Sequence, residues 1–372
     1  MSELIRKNDN RATIRWKLLT GASAMALSAY VASCAAARAG DGDHPMFWIE
    51  FGGQAEMLQG TSRSFTAPFM YADPVPVAYL GATPTENQRA PNFAFGADGK
   101  ITFQPEDSDW ILSAGIRYGR SHGKRHVHHQ TPQHFSLYTN GRSYYQTKYL
   151  SPFADTKSRH DEHHAMVDFQ AGRDVGMGLF GRDGTSTLSV GVRFAQIASN
   201  SSLDFKAHPT LGTIPFYPGF PGLPTFYQYV MTAHSERSFH GVGPLLSWSG
   251  SVALAGNLDS GELALDLGAD AAVLFGKQRA KTDHATKAYH FSYYGYTKLY
   301  DTAHASRRSR SVTVPDAGGF IGLSWRSRTA KVSLGYRAEV LFGAMDTGID
   351  ARKTSNVTFN GPYASISIGF GN

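Results

Sequence analysis

Histidine is the residue most open to chemistry in this chain, and seven of them crowd two short stretches: His122, His126, His128 and His129, then His160, His163 and His164. Neutral imidazole suits zinc and copper, and it changes charge just below neutral pH. If the polypeptide folds back between the stretches, the two groups face each other. His126 and His128, two residues apart, would share a face, so a metal site is one reading. The other is a solvated rim with a pH-dependent charge, which the absence of ordered ligand spacing favours.

Other catalytic patterns are thinner. Gly119-Arg120-Ser121-His122-Gly123 matches the Gly-x-Ser-x-Gly string of serine hydrolases, but that chemistry needs a strand-to-helix elbow, and here the string sits at a strand rim beside a long loop. The sequence contains no P-loop, no dinucleotide fingerprint and no His-Glu-x-x-His zinc site. No enzyme activity and no cofactor are therefore expected. An Asp/His protease built on a ten-stranded barrel rim is the least favoured alternative, because no distinctive constellation marks it.

A third chemistry-bearing set is spread along the chain: Glu50, Glu56, Arg117, Asp168, Arg193, Asp266, Asp270, Asp316, Arg326, Arg337 and Glu339. Each falls opposite a run of apolar residues at every second position, the period of a β-strand with two unlike faces. From Leu263 to Phe275 the odd positions are apolar throughout, while Glu262, Asp266 and Asp270 lie on the other face. Val332, Leu334, Tyr336, Ala338, Val340 and Phe342 oppose Arg337 and Glu339 in the same way.

Alternation alone does not separate a soluble sandwich from a membrane barrel. Trp110 and Tyr118 bracket their apolar stretch, and Trp248 and Trp325 lie on apolar faces, as suits two membrane interfaces. Short connections at Glu106 to Asp109, Gly181 to Gly184, Gly256 to Gly261 and Arg326 to Thr329 alternate with long segments near 58–98, 124–160, 207–235 and 283–309, and a shorter one near 350–357. The pattern predicts an all-β, antiparallel, up-and-down transmembrane β-barrel with short periplasmic turns and long extracellular loops. Ten strands are expected, at about 46–57, 99–105, 110–123, 161–180, 185–206, 236–255, 262–282, 310–325, 330–349 and 358–371, with eight or twelve left open.

Residues 1–39 read as a cleaved signal peptide: a basic start, an Ala-rich apolar stretch from Leu18 and a small-x-small site at Ala37-Arg38-Ala39. A lipoprotein-like processing site ending at Cys34 is the alternative. The barrel domain then spans 40–372 and carries no thiol, which removes disulfides and Cys-ligated zinc. Six Lys and Arg residues leave with the leader against Glu3 and Asp9, so the formal charge of +6 shrinks to near neutrality and nucleic acid is not an expected partner.

Ser238-Phe239-His240-Gly241-Val242-Gly243-Pro244, with Leu267-Gly268, Leu274-Phe275-Gly276 and Gly335-Tyr336-Arg337-Ala338-Glu339, resembles the Legionella-type pore-forming outer membrane proteins. The resemblance covers mainly 236–372 and more weakly 161–200. It implies a β-barrel with porin-like activity and supplies no catalytic residues. The ending departs from the usual aromatic terminus, since Phe370 is followed by Gly371 and Asn372.

The resulting expectation is an outer-membrane pore that passes small solutes through a narrow, charged, water-filled lumen with a slight cation preference. A closed structural or adhesive barrel acting through its surface loops is the alternative. Phe216, Tyr217, Phe226 and Tyr227 form one aromatic loop group, and Tyr289, Tyr293, Tyr294 and Tyr296 another, which either pack as a lid or stack on a flat ligand. Expected partners are outer-membrane lipid, small solutes and, during biogenesis, the barrel-assembly machinery; a homo-oligomer is compatible, though no residues mark its interface.

Overall fold

A computed structural model describes residues 47–60, 93–105, 108–130, 135–139, 142–146, 153–175, 184–208, 211–214, 223–292 and 295–370. The expected leader and Cys34 lie outside these residues. The strands are β1 (Phe47–Gln59), β2 (Phe93–Phe103), β3 (Trp110–Gln130), β4 (Phe135–Thr139), β5 (Arg142–Gln146), β6 (Phe153–Asp174), β7 (Gly184–His208), β8 (Leu211–Ile214), β9 (Leu223–Asn257), β10 (Gly261–Ser292), β11 (Gly295–Arg326), β12 (Ala330–Asp346) and β13 (Thr354–Phe370). Among the described residues there is no helix.

Ten of these strands form a closed antiparallel ring, β1-β2-β3-β6-β7-β9-β10-β11-β12-β13, and β13 returns to β1. The closing ladder runs from Phe47 opposite Phe370 to Gln59 opposite Thr358. β8 adds a short strand to the far end of β9, and β4 and β5 pair as a separate hairpin. Closure leaves no sheet edge in hydrocarbon, where each orphan backbone group would cost several kcal/mol.

The face assignment follows the sequence period. Phe51, Ile116, Phe169, Val190, Leu246, Phe275, Ile321 and Leu334 are exposed on the outer face, which is where lipid would solvate them. Trp110 and Trp325 are exposed near the short-turn end. Arg173, whose parity puts it on this outer face, needs no bulge: it is the last-but-one residue of β6, opposite Trp110, and binds Asp109 at 2.5 Å. The short turns are self-satisfied. Asn257 Oδ1 accepts from the backbone N–H groups of Asp259 (3.1 Å) and Ser260 (2.8 Å), with Gly256 and Gly261 at φ 90° and 107° on either side.

Strand lengths differ from the expectation. β9 has 35 residues and β10 and β11 have 32 each, roughly three times the nine to eleven that a tilted strand needs to cross a bilayer. Much of the segments 207–235 and 283–309, expected as loops, is strand that continues the same ladders beyond the membrane. The reason is inward burial: Leu203, Phe205, Ala207, Tyr229, Met231, Ala233 and Ala288 form a second apolar cluster on the inner face of these extensions. The ring itself stops lower down. Pairing of β2 with β3 ends at Ala94 opposite Ser121, and pairing of β11 with β12 ends at Asp316 opposite Leu341. Above these points β3-β6-β7-β9-β10-β11 continue as a six-stranded sheet, with β8 added to β9 and β12 still paired with β13 as far as Asp346 opposite Thr354.

β12 does not follow β11 upward. Its register shifts between Leu341 and Met345, with Gly343 at φ 69°, and Ala344 to Gly348 turn into the barrel and are buried. The connection to β13 is tied down by Asp346 Oδ1, which accepts from the N–H groups of Gly348 and Lys353, both at 3.0 Å.

The Gly-x-Gly-Pro segment of β9 is a place where backbones approach closely: a Cβ on Gly243 would lie 1.8 Å from the carbonyl oxygen of Val273 on β10. Gly243→Val should therefore block this ladder, and the folded, heat-modifiable band on a cold gel should be lost or much reduced, whereas Val242→Leu on the lipid face should retain it.

Candidate pore lumen

All eleven charges picked from the sequence face the barrel interior, and several of them pair with one another across it. Arg193 on β7 is the hub and is 2% exposed. Its Nε and Nη2 donate to the two oxygens of Asp168 at 2.8 and 2.9 Å, a bidentate pair. Its Nη1 donates to Asp270 (2.8 Å), Asp316 (2.6 Å) and Glu339 (2.7 Å), which come from the opposite wall on β10, β11 and β12. Arg117 on β3 forks onto Glu339, with one contact at 3.1 Å, and lies 3.9 Å from Asp168. At this level an ionic network spans the barrel interior. Two guanidiniums here face four carboxylates, and Asp316 Oδ1 is buried without a hydrogen-bond partner, so the network carries a carboxylate excess.

A second ionic layer lies nearer the short turns. Arg326 Nε donates to Glu262 (2.7 Å) and Nη1 to Ser251 Oγ (3.2 Å); Ser251 in turn donates to Asp266 (2.7 Å), which also holds Lys331 at 2.7 Å. Glu50 accepts from Ser367 (3.2 Å), and Arg337 stacks 4.9 Å from the Tyr363 ring centroid and 6.0 Å from that of Phe320. Glu56 sits 3.4 Å from His164. Sequence reasoning passed over Lys331 and Glu262 as site residues, although both share parity with charges it selected. Tyr363, whose ring faces Arg337, was not among the charges it selected.

Directly above the hub the inner face changes character. On five of the contributing strands the inward residues toward the long-loop end are apolar: Ala195 and Ile197 beyond Arg193, Ala272 and Leu274 beyond Asp270, Val314 beyond Asp316, Leu341 beyond Glu339 and Met166 beyond Asp168; on β3, Arg117 is followed inward by Gly119 and Ser121. With Phe239, Ala344, Met345 and Val357 these apolar residues form one buried cluster, and Phe239, Leu274, Val314, Leu341, Met345 and Val357 have 0% exposure. Ala344 and Met345 belong to the inturned end of β12. That end is held by Arg308 on β11, which donates to Asp346 Oδ2, Gly348 O and Ile349 O, each at 2.8 Å, and by Arg237, which donates to Thr347 O at 3.2 Å.

The seven histidines do not converge. β3 and β6 do bring the stretches face to face, with His122 opposite Asp161 and Gly123 opposite His160, but the ladder sends them to different sides. His122, His126 and His128 point outward with exposed side chains, as does His163; His160 and His164 are buried inside. On the outer face the imidazoles pair with carboxylates instead: His122 with Asp161, His126 with Asp155, and His128 with Asp155 at 3.5 Å. The side chain of His129 lies outside the described residues. Among the described side chains the histidines of these two stretches are divided between the outer and inner faces, because a two-residue period sends neighbouring positions to opposite sides.

The aromatic groups are also relocated. Phe226 and Tyr227 lie on β9 opposite Phe291 and His290 of β10, and Tyr296 lies on β11 opposite Phe291, so these are strand residues rather than loop residues. Tyr289 is half-buried on β10. Phe216, Tyr217, Tyr293 and Tyr294 lie outside the described residues, as do the side chains of Phe226, Tyr227 and Tyr296. Ser121 of the Gly-x-Ser-x-Gly string is buried on an extended part of β3, without the elbow a serine nucleophile needs.

A closed ten-stranded ring with a lipid-facing apolar exterior, short turns at one end and a polar interior defines an outer-membrane β-barrel. The sequence profile described as "Legionella pneumophila major outer membrane protein precursor" matches residues 82–370, and the chain belongs to that family. No curated protein matches it. Among solved structures it is similar to the outer membrane protease OmpT from Escherichia coli, at 10% identity and TM-score 0.38, covering 87% of this chain and 96% of that one. Further similar structures are the transport unit of the autotransporter AIDA-I from Escherichia coli (8% identity, TM-score 0.22, covering 87% and 90%) and the CymD monoaromatic hydrocarbon channel (9%, 0.22, covering 88% and 90%).

Two outcomes follow from these contacts. Arg193→Gln leaves Asp316 and Glu339 buried and undercompensated, so it should cost ~3–5 kcal/mol in urea unfolding of the bilayer-reconstituted barrel. Arg328→Gln, which breaks only the exposed pair with Asp259, should cost under ~1 kcal/mol. The second outcome concerns pH. Burial at Asp155 is slight and opposes its charge, but the hydrogen bond and proximity of His126, with His128 nearby, outweigh it and hold the carboxyl below its ordinary value of 3.8. A lowered folded value contributes stability above the unfolded value, and that contribution is lost as pH falls through the folded one. Amide protection in the outer part of the β3–β6 ladder should hold at pH ~5 and decline below pH ~4 in hydrogen exchange.

Proposed function

We propose that this outer-membrane barrel is a narrow solute pore that is closed in the conformation described, with passage gated by the apolar layer above the Arg193 hub. The observation that carries the reading is the order of layers along the inner face: paired charges, then a dry apolar constriction, then polar groups again at Arg237, Glu162, Gln278 and Thr282. Hydrophobic constrictions between polar vestibules close pores by dewetting. A barrel that served only as a wall would gain nothing from the charges, since well-packed apolar residues in place of a buried ion network are often neutral or stabilising.

The movable part of the constriction is the end of β12. Ala344 and Met345 complete the apolar layer, yet this end has no ladder to β11 above Asp316. Withdrawing it would need the contacts of Arg308, Arg237 and Gln278 to break and the short β12–β13 pairing at Met345 and Asp346 to open, while no ladder to β11 would be lost. Transport in this reading is passive and breaks no covalent bond, so no enzyme activity is proposed. Small solutes would be selected by diameter and by the carboxylate excess of the hub, giving a slight preference for cations.

The ionic network across the lumen and the projecting six-stranded sheet favour one rival, a permanently closed barrel that acts through its extracellular surface. Planar-bilayer recording on folded protein separates the two. Arg308→Gln, which frees the inturned segment, and Leu274→Asn, which wets the apolar layer, should each raise the frequency of conductance steps at least tenfold over the parent. Adding Asp266→Asn with Asp270→Asn should weaken the cation preference. Correctly folded variants that all stay electrically silent would favour the surface role.

A further inference from the structure

The residues that converge best on a metal are not the crowded histidines but a pair that the sequence keeps 20 positions apart. His284 on β10 and His304 on β11 stand directly opposite each other in a ladder that keeps register from Glu262–Arg326 to Ala288–Tyr300. Directly opposed residues in an antiparallel ladder share a face with their Cβ atoms roughly 4.5–5.5 Å apart, so the backbone itself aims both imidazoles at one point. Asp350 supplies the third group from the β12–β13 connection. Its Oδ1 lies 2.9 Å from His284 Nε2 and 2.8 Å from His304 Nδ1. The two rings are 5.4 Å apart and inclined by 34°, and all three ligand atoms lie within 4.8 Å of one another.

We infer that His284, His304 and Asp350 form a binding site for a borderline divalent transition-metal ion, with zinc as the representative case, which fastens the inturned β12–β13 connection to the β10–β11 ribbon. The donor set is two neutral imidazole nitrogens and one carboxylate oxygen, the composition of an open zinc site whose fourth position is left to water. Zinc bonds of about 2.0–2.1 Å in tetrahedral geometry separate ligand atoms by about 3.3 Å. The present nitrogen–oxygen separations need to open only by about half an ångström, within reach of side-chain rotation alone. His304 and Asp350 are half open to solvent, which leaves room for water ligands and a path for the ion.

The other three-ligand group among the described residues, Asp270–Asp316–Glu339, is unsuitable because Arg193 Nη1 already stands in the middle of it. Arg308 binds the same connection through Asp346 and the carbonyls of Gly348, Ile349 and Asp350, so the ion would be a second tether on a segment already held at its backbone. Any effect of the ion on conductance rests on the pore reading; binding itself does not.

Isothermal titration of zinc into the folded full-length barrel, stripped of metal, tests the site, with cobalt absorption as a report on coordination. One tight site per chain is expected. His284→Ala, His304→Ala and Asp350→Asn should each weaken it at least tenfold and reduce the cobalt d–d band, while His126→Ala on the outer face of β3 should leave it unchanged. Heat-modifiable mobility establishes folding, and Asp350→Asn, in an exposed connection, serves if a histidine variant fails to fold. No tight site in the parent, or affinity unchanged in Asp350→Asn and in either folded histidine variant, overturns the assignment. Binding intact in a protein that never conducts would leave the site standing and count against the pore alone.

Discussion

The backbone ladder between β1 and β13 is the constraint on which this molecule depends. In hydrocarbon the only partners for strand N–H and C=O groups are other strands, so the first and last strands must find each other across the whole chain. Phe47 opposite Phe370 closes the circle at the short-turn end, and the in-register run up to Gln54 opposite Tyr363 keeps it closed through the apolar band. Once the ring is closed, every even or odd position is committed to lipid or lumen. A one-residue slip would reverse all of them, so the buried charges and the exposed leucines hold each other in place.

Closure at ten strands also sets the interior diameter, and the diameter sets the chemistry. Side chains from opposite walls meet, which is why Arg193 can reach Asp168 on its neighbour and Asp316 and Glu339 across the barrel at 2.6–2.9 Å. A wider barrel would leave those groups solvated and separate. The same narrowness lets a few apolar residues one step above the hub complete a dry layer. The outer-membrane barrel of this family is thus held from within by a charge network and an apolar layer stacked on it, not by a core between sheets.

Above the bilayer the ring gives way because its strands end at different heights. β2 and β12 stop while β3, β6, β7, β9, β10 and β11 continue, and the inward turn of β12 at Gly343 fills the space that its missing partnership leaves. Arg308 and Arg237 take up the carbonyls that this turn would otherwise orphan. The extension has its own apolar cluster, and Ile349 from the inturned connection packs against it.

Much of this was legible from residue types alone. Two-residue alternation identified the membrane strands, their order and the inward charges, because the period of a strand is a local property and lipid on one side makes it strict. The turn residues around Asn257 and Ser327 were legible for the same reason. Extent was not. The loops expected at 207–235 and 283–309 carry enough His, Lys, Arg and Tyr to look irregular, and only pairing with a neighbour shows that Thr286 and Ala288 are inner-face residues of a long strand. Convergence was hidden as well. The crowded histidines are divided between two faces by the pleat, while His284, His304 and Asp350 meet because a ladder register and an inturned connection bring them together. Composition and period decide which face a residue takes; which other residues it meets across a barrel is decided by strand number, stagger and closure, and those exist only in the folded ring.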